Sequence, residues 1–174
     1  MNQLYEFTVH LDRAPDDDGL DALCESGMDD TVPEIWPGGR AVLHVQREAE
    51  SLSRAIVTAV ADIERAGFRA VGIDSEDLVT LAGIAEKTSR SRESVRLLSL
   101  GKRGPGGFPA AVYSDSGRSL YSWAAVRNWF AMCYGPASVA VADTQADTLA
   151  AADLLLRARL LDADMSQLSS LISA

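Results

Sequence analysis

The apolar side chains of residues 1–77 change their spacing repeatedly, and no other feature restricts the fold as tightly. In LYEFTVHLD, Tyr5, Phe7, Val9 and Leu11 fall on alternate positions, the period of a strand with one buried face. In DDDGLDALCESG the spacing turns helical. Leu20, Leu23 and Cys24 share a stripe, Asp16, Asp17 and Asp18 stand where a helix N-terminus favours negative charge, and Gly27 supplies a stop. Consecutive carboxylates of this kind read as a solvated cap rather than a metal site. TVPEIWPGGRAVLHVQRE then gives two strands joined at Pro37, Gly38 and Gly39. ESLSRAIVTAVADIERAG sets Leu52, Ile56, Val60 and Ile63 on one helical stripe closed by Gly67, and FRAVGI adds a last strand. The order βαββαβ predicts a ferredoxin-like domain over 1–77, ending near DSEDLVT (Asp74 to Thr80).

Charge divides the chain along the same lines. Residues 1–77 carry 6 basic against 17 acidic residues, residues 78–130 carry 8 against 3, and residues 131–174 carry 2 against 5. A chain of net charge -9 thus holds one positive segment between two negative ones, so only the middle is expected to meet a polyanion. The negative charge of the first segment argues against nucleic acid there and leaves it a protein partner or a small ligand.

Several classes of function drop out. No stretch approaches the roughly 18 to 20 apolar residues that cross a bilayer, and MNQLYEFTVH lacks a basic start followed by an apolar core, so a cytoplasmic protein without a membrane partner is expected. Cys24 and Cys133 stand far apart without a CxxC or a histidine pair, which supports neither a disulfide framework nor zinc. His10 and His44 lie on separate strands with no carboxylate or thiolate at ligand spacing in the sequence. GKRGPGG does not fit the GxxxxGK[ST] phosphate loop, and no catalytic constellation emerges. The chain is therefore expected to be no enzyme and to need no cofactor.

The positive segment carries the sharpest pattern. LAGIAEKTSRSRESVRLLSL (Leu81 to Leu100) divides into a short helix, a turn at Thr88 to Arg90, and a second helix capped by Ser91, with Glu93 at the positive end of its dipole. Ile84, Ala85, Val95 and Leu98 form the seam, leaving Arg92 and Arg96 on an exposed face with Ser91 and Ser94. GKRGPGGFPAAVYSDSGRSLYSWAAVRNWF follows: a basic glycine-rich turn, Phe-Pro, a short hairpin, an aromatic strand, and a helix beginning near Ala124. Trp123 and Trp129 sit at core spacing among Tyr121, Val126 and Phe130.

From about Leu78 to Phe130 the ordered pattern SRESVRLLSLGKRGPGGFP, continuing to YSWAAVRNWF, resembles the winged helix-turn-helix of the MerR, excisionase and AlpA-like families. The turn departs from that pattern, with Ser89 and Arg90 where Gly and an apolar residue are common. The resemblance implies double-stranded DNA as partner. The second helix would enter the major groove with Ser91, Arg92, Ser94 and Arg96 on base edges, and Lys102, Arg103 and Arg90 would grip phosphate.

Residues 131–174 are rich in Ala and Leu, with Leu149, Leu154, Leu156, Leu160 and Leu161 making a broad apolar surface on one helix or on two broken near Asp162. This C-terminal helical segment is read as a dimerisation element, since a two-fold homodimer places two readers on a palindromic site; the alternative is that it folds back on its own chain. The whole is read as an α+β, DNA-binding transcriptional regulator. Two other readings stand beside it: an antitoxin or partner-binding adaptor acting through the acidic domain, and an excisionase-like recombination accessory factor.

Overall fold

A computed structural model describes residues 2–115, 117–138 and 144–161, together with Leu168 and Leu171. The chain is mixed α+β and forms two compact units, one of residues up to Asp74 together with those from Thr148 onward, the other Ser75–Asp147.

The first unit runs β1 (Gln3–Leu11), α1 (Asp17–Leu23), a π-helical turn (Cys24–Met28), β2 (Thr31–Trp36), β3 (Arg40–Ala49), α2 (Leu52–Arg65) and β4 (Ala70–Ile73). Its four strands are antiparallel in the order β2-β3-β1-β4, with Phe7 opposite Val45 and Val9 between Leu43 and Ile73. The alternation in β1 buries Phe7, Val9 and Leu11 against Leu43, Val45, Leu23, Ile56 and Ile63. Each such side chain contributes about 1.5–3 kcal/mol by leaving water. Both helices begin on the caps their sequences offer: Asp16 accepts from Gly19 N at 2.9 Å and Ser51 from Arg54 N at 3.2 Å.

Arg47 is the exception to the apolar interior. Only 8% exposed, it donates from Nε to Asp30 at 2.7 Å, from Nη1 to Asp62 at 2.8 Å and from Nη2 to the Gly27 carbonyl at 2.7 Å. The Asp30 hydrogen bond leads in raising its pKa above the ordinary arginine value, against the opposing effect of burial. This fork ties the π-helical turn, where Gly27 adopts φ +103°, to β3 and α2.

The C-terminal segment is not wholly a separate module. Of α6 (Thr144–Ala158), the residues from Thr148 onward belong to the first unit: Leu156 is buried in its core with Leu149 and Ala152 packed against it. Asp153, 6% exposed, accepts from the Ile73 amide at 3.0 Å. That bond satisfies a donor on the edge strand β4, which would otherwise be open to pairing with another chain. The expected boundary at residue 131 therefore moves, because these contacts reach back some eighty positions along the chain. Leu154, Leu155, Leu160 and Leu161 remain exposed. The expected break near Asp162 lies outside the described residues.

The second unit runs β5 (Leu78–Val79), α3 (Leu81–Lys87), α4 (Arg92–Ser99), β6 (Tyr113–Asp115), β7 (Arg118–Ser122) and α5 (Trp123–Tyr134), its three strands antiparallel in the order β5-β7-β6. Ile84, Ala85, Val95 and Leu98 form the α3–α4 seam, every one of them buried, with Val126, Trp129 and Phe130 of α5 beneath. Phe108 meets the rings of Trp129, Tyr121 and Phe130 edge to face at centroid distances of 5.0, 5.8 and 6.4 Å.

Candidate nucleic-acid interface

Both central helices are capped, the second by the Ser91 that its sequence predicts. Thr80 accepts from Gly83 N at 3.2 Å to start α3, and Ser91 accepts from Ser94 N at 3.1 Å to start α4. Between them Ser89 takes φ +51°, a left-handed conformation costing an L-residue with a side chain about 1–2 kcal/mol. The chain makes this turn between α3 and α4 without a glycine. Glycine does end α4: Gly101 at φ +64° lets its own amide reach the Leu98 carbonyl at 3.0 Å and lets the Lys102 amide reach Leu97 at 2.9 Å.

The first turn of α4 faces a groove of about 250 Å³, lined by Thr80, Leu81, Ala82, Arg92, Gly117, Arg118 and Ser119. One wall is the α3 and α4 N-termini and the other is the tip of the β6–β7 hairpin. Arg92 and Arg118 both line it, and among the described residues neither has a hydrogen-bond or ion-pair partner. Two unneutralised guanidinium groups on opposing walls give the groove a positive field with donors free to bind an anionic backbone.

Arg96, one turn further along α4, is engaged by Glu93. Its Nε donates to Oε2 at 2.8 Å and its Nη2 to Oε1 at 2.7 Å, both groups standing exposed. Hydrogen bonding from Arg96 holds the Glu93 carboxyl below its usual pKa, and the same bonds raise that of Arg96. Ser94 is half-buried and Ser91 exposed, its hydroxyl oxygen occupied by the cap.

The remaining expected contacts do not join this group. Arg90 is half-buried, its guanidinium stacked over Tyr134 at 4.8 Å and Phe130 at 5.1 Å, so its face is engaged by the rings of α5. Lys102 and Arg103 are exposed but follow the C-terminal end of α4, opposite Arg92, and do not line the groove. The glycine-rich loop lies ahead of the β6–β7 hairpin. It is strapped onto α5, with Trp129 Nε1 donating to the Gly106 carbonyl at 3.0 Å. A Cβ on Gly104 would come within 2.7 Å of both Leu98 and Tyr134, and its φ of +79° favours glycine as well. The hairpin forms after Phe-Pro, where the sequence expects it, from YSDSGRS, and that short turn with an arginine directly after its glycine was the available signal for Arg118.

The two histidines lie on the first unit's sheet and do have carboxylate partners, brought across strands where sequence spacing does not show them. His10 Nε2 lies 2.6 Å from Asp74 Oδ1, and His44 bridges Glu34 at 2.9 Å and the Thr8 hydroxyl at 3.1 Å. Among the described residues no group of three or more histidine, cysteine or acidic side chains converges as metal ligands, and no helix is long and apolar enough to cross a membrane.

No protein-family model matches the chain, and neither a curated protein nor a solved structure matches it with significance.

Proposed function

We propose that the second unit is a winged helix-turn-helix and that the protein is a sequence-specific DNA-binding transcriptional regulator. The observation that carries this reading is the pairing of Arg92 and Arg118 across one groove, both without partners among the described residues, one on the first turn of the second helix and one at a hairpin tip. A helix entering the major groove presents its first turn to base edges, and an adjoining hairpin meets the flanking backbone. The reading keeps Ser91, Arg92, Ser94 and Arg96 at the DNA, substitutes Arg118 for Arg90 on phosphate, and gives Lys102 and Arg103 at most an outlying contact.

The first unit is read as a ferredoxin-like domain, supported by its βαββαβ succession and the strand order β2-β3-β1-β4. With 6 basic and 15 acidic residues up to Asp74 it is ill suited to DNA, which leaves it the part of sensing a ligand or holding a protein partner. Homodimerisation is read from Leu154, Leu155, Leu160 and Leu161, apolar side chains that α6 and the turn after it leave in water.

Fluorescence anisotropy against a pool of upstream DNA fragments tests the reading. Wild type should pick out particular fragments and an Arg92→Ala, Arg118→Ala double variant should not. Equal, weak binding by both would remove the groove from consideration and turn attention to the acidic unit's partner.

A further inference from the structure

The Glu93–Arg96 pair supports a statement about what the site reads. Resting on the DNA-binding reading above, we propose that Glu93 is a positioning residue which aims Arg96 at guanine, so that α4 demands a G·C pair at one place in each half-site.

A guanidinium carries five N–H groups: one on Nε and two on each Nη. Glu93 engages Nε and one N–H of Nη2, which uses up the side edge of the fork. The end edge stays open, with both hydrogens of Nη1 and the second hydrogen of Nη2 unengaged among the described residues. One hydrogen of Nη1 and that of Nη2 are parallel donors about as far apart as O6 and N7 of guanine, the commonest specific contact an arginine makes in the major groove. Adenine offers N7 beside an amino donor, so the same fork is repelled there.

Two consequences separate this role from a mere surface ion pair. An arginine otherwise free to rotate about four side-chain bonds is held to one direction before DNA arrives, which lowers the ordering cost of the contact. Glu93 also sets a negative charge beside the backbone, so it weakens binding to any duplex while sharpening the choice among them. A residue acting only through helix stability would lower both. Because Glu93 and Arg96 both stand on the surface, their replacement leaves the α3–α4 seam of Ile84, Ala85, Val95 and Leu98 untouched.

Selection from a library of randomised duplexes, followed by sequencing, tests this with the full-length protein. Wild type should enrich a motif containing an invariant guanine. Glu93→Ala should relax that one position at least about tenfold, leave the others in place, and bind random duplex no more weakly than wild type. Arg96→Lys, which keeps the charge and loses the fork, should relax the same position. If wild type enriches no motif, the DNA-binding reading fails and takes this one with it. If wild type enriches a motif that Glu93→Ala reproduces, the protein reads DNA and Glu93 plays no part in the reading.

Discussion

Replacing Arg47 by Met should unfold the first unit far more easily while leaving the second as it was. The substitution keeps an aliphatic stem of similar reach and removes the fork that holds Asp30, Asp62 and the Gly27 carbonyl. Deleting one partner of a buried ion pair costs about 3–5 kcal/mol, because the charge left behind is stranded. The lower end applies here, since the Asp30 side chain is 27% exposed and can rehydrate, and Asp62 keeps Arg65 at 2.8 Å. A loss of about 3 kcal/mol is roughly a hundredfold in the unfolding equilibrium. Native-state hydrogen exchange reads it directly: the slowest amides of β1 and β3 should exchange roughly a hundred times faster, those of α4 and α5 at the wild-type rate. Arg47→Lys keeps one charge but cannot span two carboxylates and a carbonyl, so it should fall between. Exchange within about threefold of wild type in Arg47→Met would refute the reasoning, because the fork would then contribute nothing beyond its own desolvation.

Two other substitutions separate roles that the sequence alone runs together. Arg90→Ala should destabilise the second unit by about 1 kcal/mol through the lost stacking on Phe130 and Tyr134, yet leave the salt dependence of DNA binding unchanged. Arg118→Ala, which removes the phosphate contact, should reduce that slope by about 0.9, and a similar drop in Arg90→Ala would show that Arg90 leaves its rings to meet phosphate. Asp153→Ala should expose the Ile73 amide to rapid exchange and loosen α6 from β4, at about 1–3 kcal/mol for an edge donor left unsatisfied; unchanged protection of Ile73 would mean the helix is held by Leu156 alone.

What could be read from the sequence follows the range of the interactions involved. Tyr5, Phe7, Val9 and Leu11 announce a one-faced strand because side-chain period is local, and Ser91 announces a helix start because its bond spans three residues. The α3–α4 seam was legible for the same reason. Contacts that close over long stretches were not: Asp153 meets Ile73 and His10 meets Asp74 only once the sheet has formed. Arg90 shows the other limit. A basic residue among basic residues looks like a phosphate ligand, and nothing local tells that two aromatic rings from α5 will stand under it. The glycine-rich loop is a similar case, since Gly104 closes on Leu98 and Tyr134 and Gly107 on Trp129, contacts that no local pattern announces.

If the protein binds DNA as proposed, α4 and the β6–β7 hairpin meet the duplex together. The most direct test is an NMR titration of ¹⁵N-labelled protein with a duplex recovered from the upstream pool, following backbone amides and arginine Nε–H signals. Shifts should concentrate on Ser91–Arg96 and on Gly117, Arg118 and Ser119, with the amides of β1 and β3 unmoved. Shifts centred on the first unit, or on α4 without the hairpin tip, would contradict it.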